Sequence, residues 1–197
     1  NRVWIGTPRG ASWVDDRRNF HRIIIRDTNT VFNCHSIFET TSFGPVLFTD
    51  KGQYYFDSTK SKWLELEWIP GELRSTFLDA EPFSENKVIF TMFDKVLILD
   101  YGTQQIIYRQ NFERPVSACP VNDQEIAIGI QTGRVMVINL VSGKIVREYQ
   151  LSNQLNDLNI NTNLSEVRRA ANGDLLVATD KAGLITISQD GTITRHT

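Results

Sequence analysis

The chain of 197 residues carries 21 Lys plus Arg against 23 Asp plus Glu, for a formal charge of −2, and 41% of it is hydrophobic. That balance argues against the concentrated basic stripe of a nucleic-acid-binding protein, and the apolar content suffices for one substantial core. No apolar stretch approaches the roughly 20 residues that span a bilayer, and Cys34 and Cys119 alone are too few for a disulfide framework.

In chain order, "VWIGT" ends on Thr7, a polar loop holding Gly10 follows, and a second apolar run, "ASWV", runs on to Asp16. An outer run, "FHRIIIRD", and an irregular segment, "VFNCHSIFE", lead to the next cycle. There "VLFTD" ends near Thr49, Gly52 opens the turn, "QYYF" closes on Asp57, and "KWLELEWI" lies outside. "STFLDAEPF" precedes the third cycle, with Thr91, "VLIL" closing on Asp100, and "QQIIYRQNF". "VSACPVNDQE" precedes the fourth, with Gly129 in "IAIGI", Gly133, "RVMVINL" with Asn139, and "KIVREYQL". "EVRRAANGD" precedes the fifth, with Thr179, Gly183, "LITI" before Asp190, and "TITRHT". The anchors Thr7, Thr49, Thr91, Gly129 and Thr179 are spaced by 42, 42, 38 and 50 residues. Helical periodicity is nearly absent; only Leu151 to Val167 has room for a turn or two.

Each cycle reads as a hairpin: glycine supplies the positive φ of the turn, and Asp or Asn bonds its own backbone at the next one. Four short strands per roughly 40 residues is the arithmetic of a β-propeller blade. The fold expected is all-β, a propeller segment of about five four-stranded antiparallel blades, at residues 1–27, 31–69, 74–112, 116–151 and 166–197. Counting strands A to D from the channel outward, the chain opens directly at strand B, so the first blade lacks its inner strand. A single propeller closing with help, or part of a larger one, is the domain organisation expected, since an open edge is one that natural proteins cover. Cys34 and Cys119, on inner strands two blades apart, are expected to be free, mostly buried thiols.

At "VWIGTPRG" and "LLVATDKAGLITISQDGTI" the sequence resembles the two-component-regulator propeller repeat, with "NLSEV" and "ANGDLLVAT" in the places of that repeat's linker. The resemblance spans the whole chain as a period, and its motifs are clearest in the first and last repeats. It implies the periplasmic sensor region of hybrid two-component systems of gut Bacteroidetes, a class that binds oligosaccharides and stacks propellers ahead of a membrane helix.

Chemistry-bearing patterns are sparse. Cys34 and His35 read as ordinary strand residues rather than a metal pair, and no nucleophile, phosphate or calcium motif is present. No cofactor or metal is expected. Glu39, Asp79, Glu81 and Glu125 fall near the inner segments, the pattern of a five-bladed glycosidase whose carboxylates converge on the channel. The lean blades disfavour that reading. Trp13, Trp63 and Trp68 suit sugar stacking, but Trp63 and Trp68, five apart on an outer strand, read better as packing residues, as does Trp4.

The B–C turns and D–A connections leave a blade on one face. That face gathers Pro8, Arg9, Asp50, Lys51, Phe93, Asp94, Gln131, Thr132, Asp180 and Lys181, with Asn29, Glu72, Arg114 and the long segment 152–165. From it the ligand-binding residues expected are Arg9, Lys51, Asp94, Gln131, Asp180, Lys181, Asn153 and Asn156. Amides and charges of both signs suit sugar hydroxyls. The partners expected are an oligosaccharide, other blades or domains of the same polypeptide, and a second copy as a homodimer, with neither nucleic acid nor membrane. The function expected is a non-catalytic periplasmic sensor; the alternative is a cytoplasmic WD40-like scaffold.

Overall fold

The computed structural model describes residues 3–25, 31–73, 77–151 and 163–196. The chain is all-β, built as five antiparallel sheets of propeller-blade type. The first holds β1 (Val3–Thr7), β2 (Gly10–Val14) and β3 (Phe20–Arg22), and the second β4 (Cys34–Thr40), β5 (Gly44–Thr49), β6 (Gly52–Asp57) and β7 (Lys62–Glu65). The third holds β8 (Asp79–Ser84), β9 (Lys87–Thr91), β10 (Lys95–Asp100) and β11 (Gln105–Asn111). The fourth runs through β12 (Pro115–Asn122), β13 (Glu125–Ile130), β14 (Arg134–Asn139) and β15 (Ile145–Gln150). The fifth is β16 (Leu164–Arg169), β17 (Leu175–Thr179), β18 (Gly183–Ile187) and β19 (Ile193–His196). In every sheet the strands lie side by side in chain order, and the first has three strands, with β1 at its edge.

Two compact units divide the chain. One comprises 1–76 with 101–104, the other 77–100 with 105–197. In each unit the core lies between successive sheets. Ala11 and Ile23 of the first unit pack with Cys34, Leu47, Tyr54 and Trp63. In the second unit Ile89, Val96 and Ile98 meet Ala118, Ile126, Ile128 and Ile138. Cys119, Ala127, Val135 and Val137 then meet Val167, Val177, Ile185 and Ile187. Middle strands are covered on both faces, which is why Val96 to Leu99 run without a polar residue and are all 0% exposed. Each such side chain contributes about 1.5–3 kcal/mol of burial.

The repeated threonine is a turn builder. Its hydroxyl donates to the carbonyl of the glycine opening the next strand: Thr7 to Gly10 at 2.9 Å, Thr49 to Gly52 at 2.8 Å, Thr179 to Gly183 at 2.9 Å. The same oxygen accepts a turn N–H, from Arg9, Lys51 and Ala182 respectively. Gly183 has φ +77°, a left-handed value that a side chain would strain.

Three sequence expectations need correction. The fourth anchor is Ile130, not Gly129, since Ile130 ends β13 opposite Arg134 as Thr179 ends β17 opposite Gly183. Gly129 instead serves close packing, because a Cβ there would lie 2.8 Å from Leu164 Cδ2. Trp68 lies beyond the end of β7, not on it. The stretch given room for a helical turn opens on Leu151, which is helical, 152–162 lies outside the described residues, and Leu164–Arg169 is strand β16. A 3-10 turn, which was not anticipated, spans Gly71–Leu73. Cys34 and Cys119 are free and buried, as expected, and burial pushes each thiol up to about 12.

Candidate functional site

The turn face is built alike from sheet to sheet. The first residue of the B–C turn donates its N–H to the residue just ahead of strand A. Asp50 donates to Asn33 at 3.1 Å, Gln131 to Arg114 at 3.0 Å, and Asp180 to Asn163 at 3.0 Å. In the second, fourth and fifth sheets these bonds fasten the D–A connection to the B–C turn, so the two emerge on one face; in the third, Leu78 donates to the Thr91 carbonyl at 2.7 Å instead. In the second unit that face holds a groove of about 310 Å3 lined by Leu78, Phe93, Arg114, Pro115, Val116 and Gln131. Phe93 is 64% exposed and Leu78 44%, so an apolar surface stands open beside a guanidinium and an amide. Arg114 holds φ +51°, a conformation fixed by the tight passage from β11 into β12.

Of the residues expected to bind a ligand, Gln131 enters this groove, together with Phe93 and Arg114 of the wider turn set. Asp94 is exposed in the β9–β10 turn, 3.8 Å from Lys95. Asp180 and Lys181 are exposed in the β17–β18 turn. In the first unit, Arg9 is exposed in the β1–β2 turn and Lys51 in the β5–β6 turn, where it pairs with Asp50 at 3.5 Å. Asn153 and Asn156, and Asn29 of the wider set, lie outside the described residues. Leu78, Pro115 and Val116 carry no polar signal that singles them out in the sequence.

The inner strands carry a second cluster. Strands β8, β12 and β16 pack in succession, and Arg168 on β16 binds Asp79 on β8 through two bonds of 3.1 Å. The same guanidinium reaches Glu81 at 2.8 Å and Glu166 at 2.7 Å. Burial raises the Glu81 carboxyl above its ordinary value, with the charges of Asp79 and Glu166 adding to the rise and Arg168 opposing it. Thus Asp79 and Glu81, the pair a glycosidase reading needs, are both bound by one arginine. Spacing two apart on a strand places them on one face, but the partner 89 residues away has no local signature. Glu125 pairs instead with Arg147 at 2.9 Å, and Glu39 accepts from Trp4 Nε1 at 3.4 Å.

The tryptophans are engaged in packing. Trp13 stacks on His21 with centroids 3.8 Å apart, Trp4 meets Trp63 edge-on at 6.0 Å, and Trp68 meets Tyr101 edge-on at 5.5 Å. Among the described residues no group of three or more His, Cys, Asp or Glu is placed to hold a metal ion, and no helix is long and apolar enough to cross a membrane.

No family model and no curated protein matches the chain. Solved structures do. One is the "extracellular domain of the putative hybrid two component system BT3049 from B. thetaiotaomicron", with a TM-score of 0.68 at 14% identity, over 100% of this chain and 27% of that one. Another is the "extracellular domain of the putative one component system BT4673" of the same organism, with a TM-score of 0.67 at 14% identity, over 94% and 25%. A third is BBS1N in complex with ARL6DN, with a TM-score of 0.68 at 12% identity, over 98% and 62%. The chain thus spans about a quarter of the first two and under two thirds of the third. At these identities the likeness is one of fold. It matches the resemblance read from the repeats, since the first of these structures is the extracellular domain of a hybrid two component system and the second that of a one component system.

Proposed function

We propose that the chain is a non-catalytic segment of an extracytoplasmic sensor in a two-component signalling protein, and that its turn face takes an oligosaccharide. The observation that carries this reading is the turn-face groove of the second unit, where exposed Phe93 and Leu78 stand beside Arg114 and Gln131. An aromatic face beside a guanidinium and an amide is the chemistry that sugar rings and hydroxyls take. The fold shared with extracellular domains of a hybrid two component system and a one component system of B. thetaiotaomicron supports the sensor role and the periplasmic side of the membrane. Engagement of Asp79 and Glu81 by Arg168 supports a binding rather than a hydrolytic use of the molecule. In this reading the blades belong to one propeller segment that continues in further blades or domains of the same polypeptide.

A glycan array followed by calorimetry tests the proposal. Phe93→Ala and Gln131→Ala are expected to weaken the captured oligosaccharide by about tenfold each, the loss of a stacking face or a buried-side hydrogen bond. Capture unaffected by both substitutions would move the binding surface elsewhere. A second reading, a protein-interaction scaffold in the cytoplasm, is favoured by Val141, Ile145 and Val146, exposed at 82%, 48% and 46% on and beside the outer strand β15. No glycan capture, together with a partner lost on Val141→Asp, would select it.

A further inference from the structure

On the opposite face of the second unit, where the A–B and C–D turns lie, a cleft of about 290 Å3 opens between the fourth and fifth sheets. Strand registers explain how it forms. Arg169 is the cross-strand partner of Leu175, and Leu175 of Ile187, so the three form one row on one face of the fifth sheet. Leu175 and Ile187 belong to the core shared with the fourth sheet, so this row faces it. On the fourth sheet Arg147 pairs across with Val137 and Tyr149 with Val135, both in the same core. Two guanidiniums therefore overhang one apolar floor.

Their states differ. Arg147 is neutralised by Glu125 at 2.9 Å, whereas Arg169 has no carboxylate within ion-pair distance among the described residues. The rim adds Tyr149, Ser188, Asn122 and Gln189. The turns beneath are already fastened: Gln189 donates from its amide to the Asn172 carbonyl at 2.5 Å and from its backbone to Asp174 at 3.3 Å. A cleft whose walls are set before binding loses little freedom on occupation.

We propose that this cleft binds a small hydroxycarboxylate, with Arg169 taking the carboxylate, the rim hydroxyls and amides taking the hydroxyls, and Val121, Leu175 and Ile187 under the carbon frame. At about 30 Å3 per water the volume equals that of roughly ten waters, and the roughly thirteen heavy atoms of one acidic monosaccharide, drawn closer together by covalent bonds, match it. A guanidinium fork suits a planar carboxylate. The inference is independent of the turn-face reading, whose variants lie at Phe93 and Gln131.

Titration of the labelled protein with D-glucuronate, followed by amide NMR, tests it. Saturable shifts are expected at Gly173, Ser188 and Gln189, with D-glucose and inorganic phosphate each binding at least about tenfold more weakly. Arg169→Ala is expected to weaken glucuronate by about tenfold or more while leaving the remaining spectrum in place. Tyr149→Phe, which keeps the ring, is expected to weaken it by a smaller factor. Absence of shifts, equal binding of glucose or of phosphate, or glucuronate binding unchanged by Arg169→Ala would each overturn the proposal.

Discussion

Thr49 and Thr179 make the same two turn bonds in different surroundings, and that difference separates the bond from its burial. Thr49 is 4% exposed, so its loss leaves the Lys51 N–H and the Gly52 carbonyl short of partners in a dry site. Thr49→Val is expected to destabilise by about 1–3 kcal/mol, and Thr179→Val, open to water, by under about 1 kcal/mol. Urea midpoints of the two variants check this, and equal losses would contradict it. Carboxylates cap the turns at the other end of the hairpins. Backbone and side-chain bonds from Asn19 hold Asp15, and the Thr59 hydroxyl chiefly holds Asp57, at about 2, below their ordinary 3.8. A lowered carboxyl contributes stability that is present above pH 3.8 and lost as pH falls through 2. The urea midpoint is therefore expected to drop between about pH 4 and pH 2, and less steeply in Asp57→Asn, which keeps an accepting oxygen. Glu81 acts in the opposite sense: its raised carboxyl favours the fold below its ordinary 4.5, and that contribution is lost as pH rises.

Strands β8 and β16 are joined across β12 by one side chain. Arg168→Met removes the only described guanidinium bound to Asp79 and Glu81, whose side chains are 18% and 29% exposed. Breaking a buried pair from one side costs about 3–5 kcal/mol, and partial exposure reduces that to about 1–3 kcal/mol here. Adding Asp79→Asn and Glu81→Gln to Arg168→Met is expected to recover most of the loss, since the one charge then left without the arginine is Glu166, whose side chain is 49% exposed and stays hydrated. Thermal denaturation of the single and triple variants checks this; a triple variant as unstable as the single one would show that packing of the Arg168 stem, not charge, is what matters. Neighbouring Arg169 shows why a strand must be read residue by residue. "RR" in the sequence reads as one solvated charge cluster, yet alternation sends Arg168 to the carboxylates and Arg169 to the cleft between the fourth and fifth sheets.

Across the whole chain, what the sequence made legible was whatever repeats. Sheet number, strand order and the three-stranded first sheet follow from the period, because the threonine–glycine turn is written out in three of the five cycles and the apolar runs keep the spacing in the other two. Where one residue type serves two purposes the reading slips, as at Gly129, a packing glycine mistaken for a turn anchor. The turn face was legible as a set, since its residues sit at fixed offsets from the anchors. Its apolar lining was not, since Leu78, Pro115 and Val116 look like any strand start. Pairings between sheets were least legible of all, and Arg168 with Asp79 is the extreme case, at a separation of 89 residues. That separation has a consequence during synthesis. At about 5–20 residues per second, roughly 4 to 18 s pass between the making of Asp79 and that of Arg168. Until then the two acids of β8 have no countercharge, so they are expected to stay hydrated rather than to pack against a neighbouring sheet. Closure of the inner edge of the third sheet is therefore expected to wait until the fifth sheet has been made and brings the arginine with it.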